Sequence, residues 1–513
     1  MNPAQPALIA TLLRALPEAI LIETHISWVI LTGGFAYKLK KPVNLGFLDF
    51  STLDKRHICC QEEVRLNGRL APDTYLETLP ITGSLDHPTL GGSGPVLEWA
   101  VKMRAFPPDA TLDREAIITP GQIDAIADRI ARFHRQIEAA PADSHHGTPE
   151  QVQAPVRQNF LQLRELRPPQ ALLAALAGQE DWARAEGLRL VPHFEARKQH
   201  GFIRECHGDL HLGNIAWVVD APLIFDGIEF NPDLRFIDVI SEIAFLVMDL
   251  NHRGEEALAW RVLNRYLEQS GDYEGLAALP YYMGYRAMVR AKVAAIRAHQ
   301  AGGDYDESLN YIHLAQRLGS ASHPALILMH GVSGSGKTVI SQHLLEGLGA
   351  IRLRADVERK RLHGLAPLDS SEAIPGGIYT REAGERTRNH LLFLAHRLLE
   401  EGFRVIVDAT FLARDWREPF QAMATENKIP WCLVSPQVPN DILRQRVAQR
   451  RAHGKDASEA DLSILDAQLA NQTPLTLEEW PHTVAPETGW DRDTLLRNIR
   501  PLLNPKLTLS SSP

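Results

Sequence analysis

The stretch ECHGDLHLGNIAW, residues 205–217, sets His207, Asp209 and Asn214 in an H-x-D-x-x-x-x-N arrangement. Asp226 follows seventeen residues after Asp209, inside the apolar run LIFDGIEF. These side chains suit transfer of a phosphoryl group to a hydroxyl. A carboxylate at Asp209 takes the proton of the attacking hydroxyl. An amide oxygen five residues on, at Asn214, ligates Mg²⁺, and Asp226 reaches the same ion from a second strand. Alternation of His207, Asp209 and His211 would also let a strand turn all three toward one hydrolytic metal. That reading leaves Asn214 and Asp226 without a task, and no further His/Asp cluster of ligand spacing stands nearby. His207 is expected to fix the loop rather than carry a proton. His211 either touches substrate or packs.

A second phosphate-handling pattern follows downstream. GVSGSGKT fits G-x-x-x-x-G-K-[ST] with Gly331, Gly336, Lys337 and Thr338, and Ser333, Gly334 and Ser335 fill the loop between them. Glycines let backbone N–H groups turn inward around a phosphate. The lysine reaches the β- and γ-phosphates, and the threonine hydroxyl ligates Mg²⁺. A helix starting at the lysine adds its positive end. ALILMH before the loop and VISQHLLEGL after it supply the strand and helix this geometry requires.

Further polar residues fall at strand ends. IRLRADVERKRLHG puts Asp356 just after a strand, with Arg359 three residues on, and FRVIVDATF ends its strand at Asp408. Strand-end carboxylates of open parallel sheets face the ligand crevice. Asp408 either supports the Mg²⁺ shell, contacts an acceptor, or caps a loop. LRQRVAQRRAHGKDAS sets Arg444, Arg446, Arg450 and Arg451 on a helix, which is either a lid or a solvated basic face.

The first site needs a lysine and a partner acid from elsewhere. Residues 25–50 read as strands joined by a Gly-Gly turn, and KRHICCQEEVRLNGRLA as a helix. Ala36, Lys38 and Lys40 share one strand face. The A-x-K step selects Lys38 for the α/β-phosphates, with Lys40 next. Its partner is Glu62 or Glu63, and Glu63 lies in register with Leu66 and Leu70. Thr32, Gly33 and Gly34 make a short phosphate-covering turn, and an adenine would lie against the strand ending near Met103.

The 513 residues are long for one domain, and 44% hydrophobic with 23% charged is an ordinary globular composition. A net charge of −9 advertises neither nucleic acid nor an anionic membrane. The four cysteines form no CxxC pair, so a reduced, cytoplasmic chain without structural zinc is expected. The amino-terminal twenty residues read as an amphipathic helix rather than a signal peptide, and no 18-residue apolar run could span a membrane. After about residue 320 strands and helices alternate, the pattern of a parallel sheet with helices on both faces.

Two resemblances follow from these motifs. HGDLHLGN with IFDGIEF resembles the aminoglycoside phosphotransferases, whose fold is that of the protein kinases; a glycine replaces the arginine of H-R-D. Residues 325–480 resemble the small P-loop kinases, among them gluconate kinases, polynucleotide 5′-kinases and zeta toxins. Together with YKLKKPVNLGFLDFSTLDKR, they make the chain similar to bacterial proteins that fuse the two domains. The resemblance implies an α/β multi-domain chain: an α+β bilobal kinase-like domain over 1–320, with lobes of about 1–105 and 106–320, a P-loop domain over 321–500, and a disordered tail over 501–513. It implies ATP and Mg²⁺ as cofactors, Asp356 as acceptor-side base, Arg359 as a clamp, Arg446 and Arg450 as charge-neutralising lid residues, and Asp238 as the acid that steadies the Asp209 loop. Glu242 reads equally well as an exposed acid of an amphipathic helix. The expected activity is a bifunctional phosphotransferase acting on small-molecule hydroxyls, with no membrane or nucleic-acid partner. The alternatives are a chain in which one domain is a sensor or pseudokinase, and a nucleotide or polynucleotide kinase in the second half.

Overall fold

A computed structural model describes residues 4–46, 48–320, 323–372, 374, 377–453, 457–487 and 490–504, with the side chains of 450–453 outside the description. In chain order, helix α1 (Ala4–Ala15) precedes β1 (Ile20–Glu23), β2 (Ser27–Thr32), β3 (Phe35–Lys40), α2 (Leu53–Gly68), β4 (Tyr75–Gly83), β5 (Pro88–Leu90) and β6 (Val96–Arg104). Then come α3 (Pro120–Gln136), α4 (Pro149–Glu165), α5 (Gln170–Arg189), α6 (Val191–Gln199), β7 (Ile203–Glu205), β8 (Ile215–Val218), β9 (Ala221–Ile224), β10 (Phe236–Asp238), α7 (Val239–His252), α8 (Glu256–Ser270), α9 (Leu279–Ala301) and α10 (Asp306–Leu318). The remainder is β11 (Ala325–Met329), α11 (Lys337–Leu348), β12 (Ala350–Arg354), α12 (Ala355–Leu362), α13 (Arg381–Glu400), β13 (Arg404–Asp408), α14 (Arg414–Glu426), β14 (Trp431–Val434), α15 (Asn440–His453), α16 (Leu462–Asn471), β15 (Thr483–Val484) and α17 (Arg492–Leu503). Two compact units result, one of residues 1–252 and 281–318, the other of residues 253–280 and 319–513. No described helix is long and apolar enough to cross a membrane.

The first unit opens with a six-stranded antiparallel sheet in the order β1-β2-β3-β6-β4-β5. Leu8, Ile9 and Leu12 of α1 bury against Ile30, Leu39, Ile81 and Ala100 of the sheet. Each such side chain contributes roughly 1.5–3 kcal/mol relative to leaving it in water. The sequence does not mark β4, because Pro80 interrupts its pattern; register shifts at Tyr75/Glu77 and Ile81/Thr82 accommodate the irregular strand. Helix α2 starts at Thr52, whose hydroxyl accepts the Lys55 N–H, and buries Cys60 against Ala71, Tyr75 and Val101. Every residue of α7 from Val239 to Leu250 is buried, so this helix is a core element and not an amphipathic surface one.

The second unit holds a five-stranded parallel sheet in the order β12-β13-β11-β14-β15. All five residues of β11 are buried, as a central parallel strand covered on both faces requires. β12 is an edge strand, and α8 closes that edge. The Asn264 amide donates to the Ala350 carbonyl at 2.9 Å and accepts the Arg352 N–H at 2.7 Å. Glu268 pairs with Arg352 at 2.7 Å, both buried. One side-chain amide thus supplies the ladder bonds a sixth strand would have made. The sequence places 1–320 in one domain; in the compact units, 253–280 goes with the P-loop sheet. Residues 501–503 complete α17 rather than open a tail, and 505–513 lie outside the described residues.

Candidate active sites

In the first unit, strand alternation brings Lys38 and Lys40 to one face of β3, above Glu63 of α2. Lys38 Nζ lies 2.8 Å from Glu63 Oε1 and 2.5 Å from Asp226 Oδ1. Lys40 Nζ lies 2.7 Å from Glu63 Oε2 and also pairs with Glu229. Burial would raise the Glu63 carboxyl, but the two ammonium groups outweigh it and hold its pKa down to about 2. Lys40 is only 1% exposed and enclosed by carboxylates, whereas Lys38 is 13% exposed and pairs with the half-exposed Asp226. Glu62 points elsewhere, toward Arg65 and Arg235.

The Asp209 loop is held from behind. Glu242 accepts the N–H groups of His207 and Gly208 at 2.7 and 2.8 Å, and Asp249 accepts that of Leu212 at 2.9 Å. Arg286 of α9 donates to the Gly208 carbonyl at 3.0 Å. Gly208 has φ +87°, and a Cβ there would stand 2.8 Å from the Leu234 carbonyl, which is why no arginine stands in this loop. His207 accepts the Asp209 N–H on Nδ1 and meets the Phe225 carbonyl with Nε2 at 2.8 Å. It is scaffold, and the three alternating polar residues do not converge on one metal. Asp238, expected to steady this loop, instead pairs with Arg197 and caps α7 through the Ile240 N–H. It lies at the end of β10, too early in the chain; one helical turn later, Glu242 takes that position.

Asn214 donates through Nδ2 to the Asp209 carbonyl and to Asp209 Oδ2, at 2.9 and 3.1 Å. Its amide oxygen is left for a cation. Asp226 adopts φ +64° with its N–H on the Tyr75 hydroxyl, and Gly227 N–H rests on Asn67, so the DG turn is fixed from the sheet lobe. Burial would raise the Asp209 carboxyl; His211, 3.4 Å away, followed by His207 and Arg286, keeps it well below the usual carboxylate range. Asp209 is therefore ionised at neutral pH. Asn214 and Asp226 each carry a hard oxygen donor of the kind Mg²⁺ takes, and the Phe225 N–H on the Asn214 carbonyl makes their segments neighbours.

In the second unit, Gly331, Gly334 and Gly336 take positive φ between β11 and α11. Gly334 has no room for a side chain, since a Cβ would stand 3.0 Å from the Leu443 carbonyl of α15. Ser333 N–H donates to Gln468 at 2.7 Å, and Arg446 donates to the Gly334 carbonyl at 3.3 Å. Lys337 Nζ folds onto the Val332 carbonyl at 2.9 Å. The Ser335 hydroxyl is buried with no hydrogen-bond partner among the described residues, the kind of unsatisfied donor that a phosphate oxygen would answer. Asp408 ends β13 and accepts the Ser341 hydroxyl at 3.0 Å.

A cavity of about 610 Å³ brings Lys337, Thr338, Asp356, Arg359, Asp408 and Arg446 together. Arg359 pairs with Asp356 at 2.9 Å and lies over the Tyr379 ring. Arg388 and Trp416 also line it; they come from helices that carry no motif. A second cavity of about 390 Å³ shares Gly336 and Arg446 and is lined by Val339, Pro436, Pro486 and Trp490. Arg444 is spent on Asp466 at the surface, and the Arg450 and Arg451 side chains lie outside the described residues.

Known proteins similar to this chain fall into three groups. Residues 326–475 match the model of a family described as an AAA domain. The uncharacterized protein Rv2004c of Mycobacterium tuberculosis and the uncharacterized protein Mb2027c of Mycobacterium bovis are each 29% identical over 467 residues, 88% of this chain and 90% of theirs. Among solved structures, a gluconokinase from Sinorhizobium meliloti is 20% identical, covering 37% of this chain and 99% of its own, with a TM-score of 0.26. A choline/ethanolamine kinase family protein from Mesorhizobium loti is 10% identical, covering 60% and 93%, with a TM-score of 0.39. The family match falls wholly within the second unit, over its parallel sheet.

Proposed function

We propose that the chain is a bifunctional ATP-dependent phosphotransferase, each unit passing the γ-phosphoryl group of ATP to the hydroxyl of a small molecule. The observation that carries this reading is the double convergence: Lys38, Glu63 and Asp226 in mutual contact, with the Asp209–Asn214 pair joined to the Asp226 segment through the Phe225 N–H on the Asn214 carbonyl, and Lys337, Asp356, Arg359 and Asp408 around one cavity in the other unit.

In the first unit, Glu63 holds Lys38 in place to neutralise the α/β-phosphates. Asp209, kept ionised, accepts the acceptor's proton as its oxygen attacks the γ-phosphorus and ADP departs. In the second, the P-loop amides and Lys337 cradle the phosphates, Asp356 takes the acceptor proton, and Arg359 and Arg446 offset charge on the transferring group. The 390 Å³ cavity beside Gly336 has the apolar wall a nucleobase needs. Asn214 and Asp226 in one unit, and Thr338 with Asp408 in the other, would hold Mg²⁺, which would supply positive charge to the phosphates when bound.

Incubating the full chain with Mg·ATP and a metabolite extract, then profiling products, tests the proposal. New phosphate monoesters are expected. ATP turnover that no metabolite alters would point to a switch and sink it.

A further inference from the structure

Away from both sites, the loop between α3 and α4 carries two adjacent histidines. His145 Nε2 lies 2.7 Å from Asp233 Oδ1, and His146 Nδ1 lies 3.2 Å from the same oxygen. All three ligand atoms fall within 4.8 Å of one another. We propose that His145, His146 and Asp233 form a binding site for a divalent transition metal of the zinc type, pinning the loop to the turn that precedes β10.

Four features point to a metal rather than to a plain hydrogen-bonded pair. First, one carboxylate oxygen faces two imidazole nitrogens, and a hydrogen-bonded pair needs only one. Second, His146 Nδ1 is buried yet makes no hydrogen bond of acceptable geometry, although it lies 3.2 Å from Asp233. A buried nitrogen without a hydrogen bond is costly, and a metal ion would satisfy it through the lone pair. Third, the ligand separations are close to what a tetrahedral ion imposes. Metal–ligand bonds of 2.0–2.2 Å put neighbouring ligand atoms about 3.3–3.5 Å apart, which His146 already meets at 3.2 Å, while the exposed His145 ring must open by about 0.6–0.8 Å. Fourth, the ligands are positioned before any ion arrives. The His146 ring stacks on Phe236 at 4.6 Å and 11°, and Asp233 sits in a short 3-10 turn whose N–H is capped by Asn231 at 2.9 Å. Lys198 ties the Ser144 carbonyl, holding the loop from its other side.

Two imidazoles and one carboxylate suit zinc better than Mg²⁺, which prefers oxygen. Three protein ligands leave a fourth position for water. His145 is largely exposed, so the ion has an entry path. The absence of CxxC pairs spoke only to thiolate sites. The third ligand lies 87 residues away in sequence from His146, so no local spacing marks the site. The site stands next to β10, which leads directly into α7 and its Glu242, so the ion would stiffen the support of the Asp209 loop rather than enter the chemistry.

The test uses the full chain stripped of metal with a chelator and titrated with Co²⁺, whose tetrahedral complexes absorb strongly in the visible while octahedral ones at nucleotide sites do not. Saturation at one equivalent with the strong band is expected, together with a rise in Tm on adding Zn²⁺. His145→Ala and Asp233→Asn should each weaken Co²⁺ binding at least ~10-fold and remove the Zn²⁺-dependent rise, as loss of one of three ligands implies. Asp226→Asn should leave the band intact. Because the His145 side chain is mostly in solvent, its variant will fold and report on the site. Absence of the band in the unaltered chain, or its persistence in both ligand variants, overturns the proposal.

Discussion

Glu242 grips the Asp209 loop at His207: one carboxylate oxygen takes the His207 N–H at 2.7 Å while the other takes that of Gly208 at 2.8 Å. Burial would raise this carboxyl, yet His134, followed by His207, holds its pKa down to about 2. Two backbone groups that would otherwise be buried and unpaired thus depend on one side chain from α7. Glu242→Gln can satisfy at most one of them as an acceptor. We expect a fall in kcat for the first unit's transfer of roughly 10- to 100-fold with KM for ATP little changed, and a stability loss of about 1–3 kcal/mol. Steady-state kinetics paired with urea denaturation checks both.

The same carboxylate sets a pH dependence. Its folded-state pKa is depressed from an ordinary 4.5 to about 2. A depressed carboxylate contributes stability that is complete above its unfolded value and is lost as pH falls through the folded one. Stability of the first unit should therefore decline between about pH 5 and pH 2, and Glu242→Gln should flatten that decline. A decline of equal steepness in the variant would assign it to other groups.

Lys38 and Lys40 share Glu63 but should fail differently. Lys38 is the more exposed of the two and reaches Asp226 as well, so Lys38→Ala should lower transfer by at least ~100-fold with a modest change in Tm. Lys40 is enclosed by Glu63 and Glu229. Lys40→Ala leaves two buried carboxylates facing each other, and a loss of about 3–5 kcal/mol is expected. Calorimetry of the two variants side by side distinguishes a ligand-facing lysine from a structural one.

The P-loop unit borrows α8 from ahead of its own sheet in sequence. Without Asn264 and Glu268, the β12 edge loses its side-chain bonds, and the buried Arg352 guanidinium loses its carboxylate and keeps only the Thr338 carbonyl and the Ser341 hydroxyl. A fragment beginning at residue 319 should express poorly or melt broadly. In the full chain, Glu268→Ala should cost about 3–5 kcal/mol in the transition that nucleotide binding at the P-loop shifts. Isothermal denaturation with and without Mg·ATP reads this out.

What the sequence reveals depends on how locally each feature is determined. The P-loop was legible because glycines, a lysine and a hydroxyl act within eight consecutive residues, and their conformations follow from residue type alone. Lys38 and Glu63 were legible through strand alternation and helical register, which the structure joins at 2.8 Å. Glu242 was misjudged for a physical reason that was present in the sequence. FIDVISEIAFLVMDL is apolar on all sides, so an acid within it must be buried and paired, and an amphipathic reading was the wrong template. The allegiance of α8 was not legible, because an amphipathic helix does not say which sheet it covers. Arg286, Arg388 and Trp416 come from helices without motifs and reach their sites only through tertiary packing.

The most direct test of two independent sites is the partition of products between two single substitutions. Labelled ATP and a metabolite extract would be given to the unaltered chain, to Asp209→Ala and to Lys337→Ala. The account predicts that each variant loses one set of phosphorylated products and keeps the other at its original rate. Loss of every product on either substitution alone would contradict it.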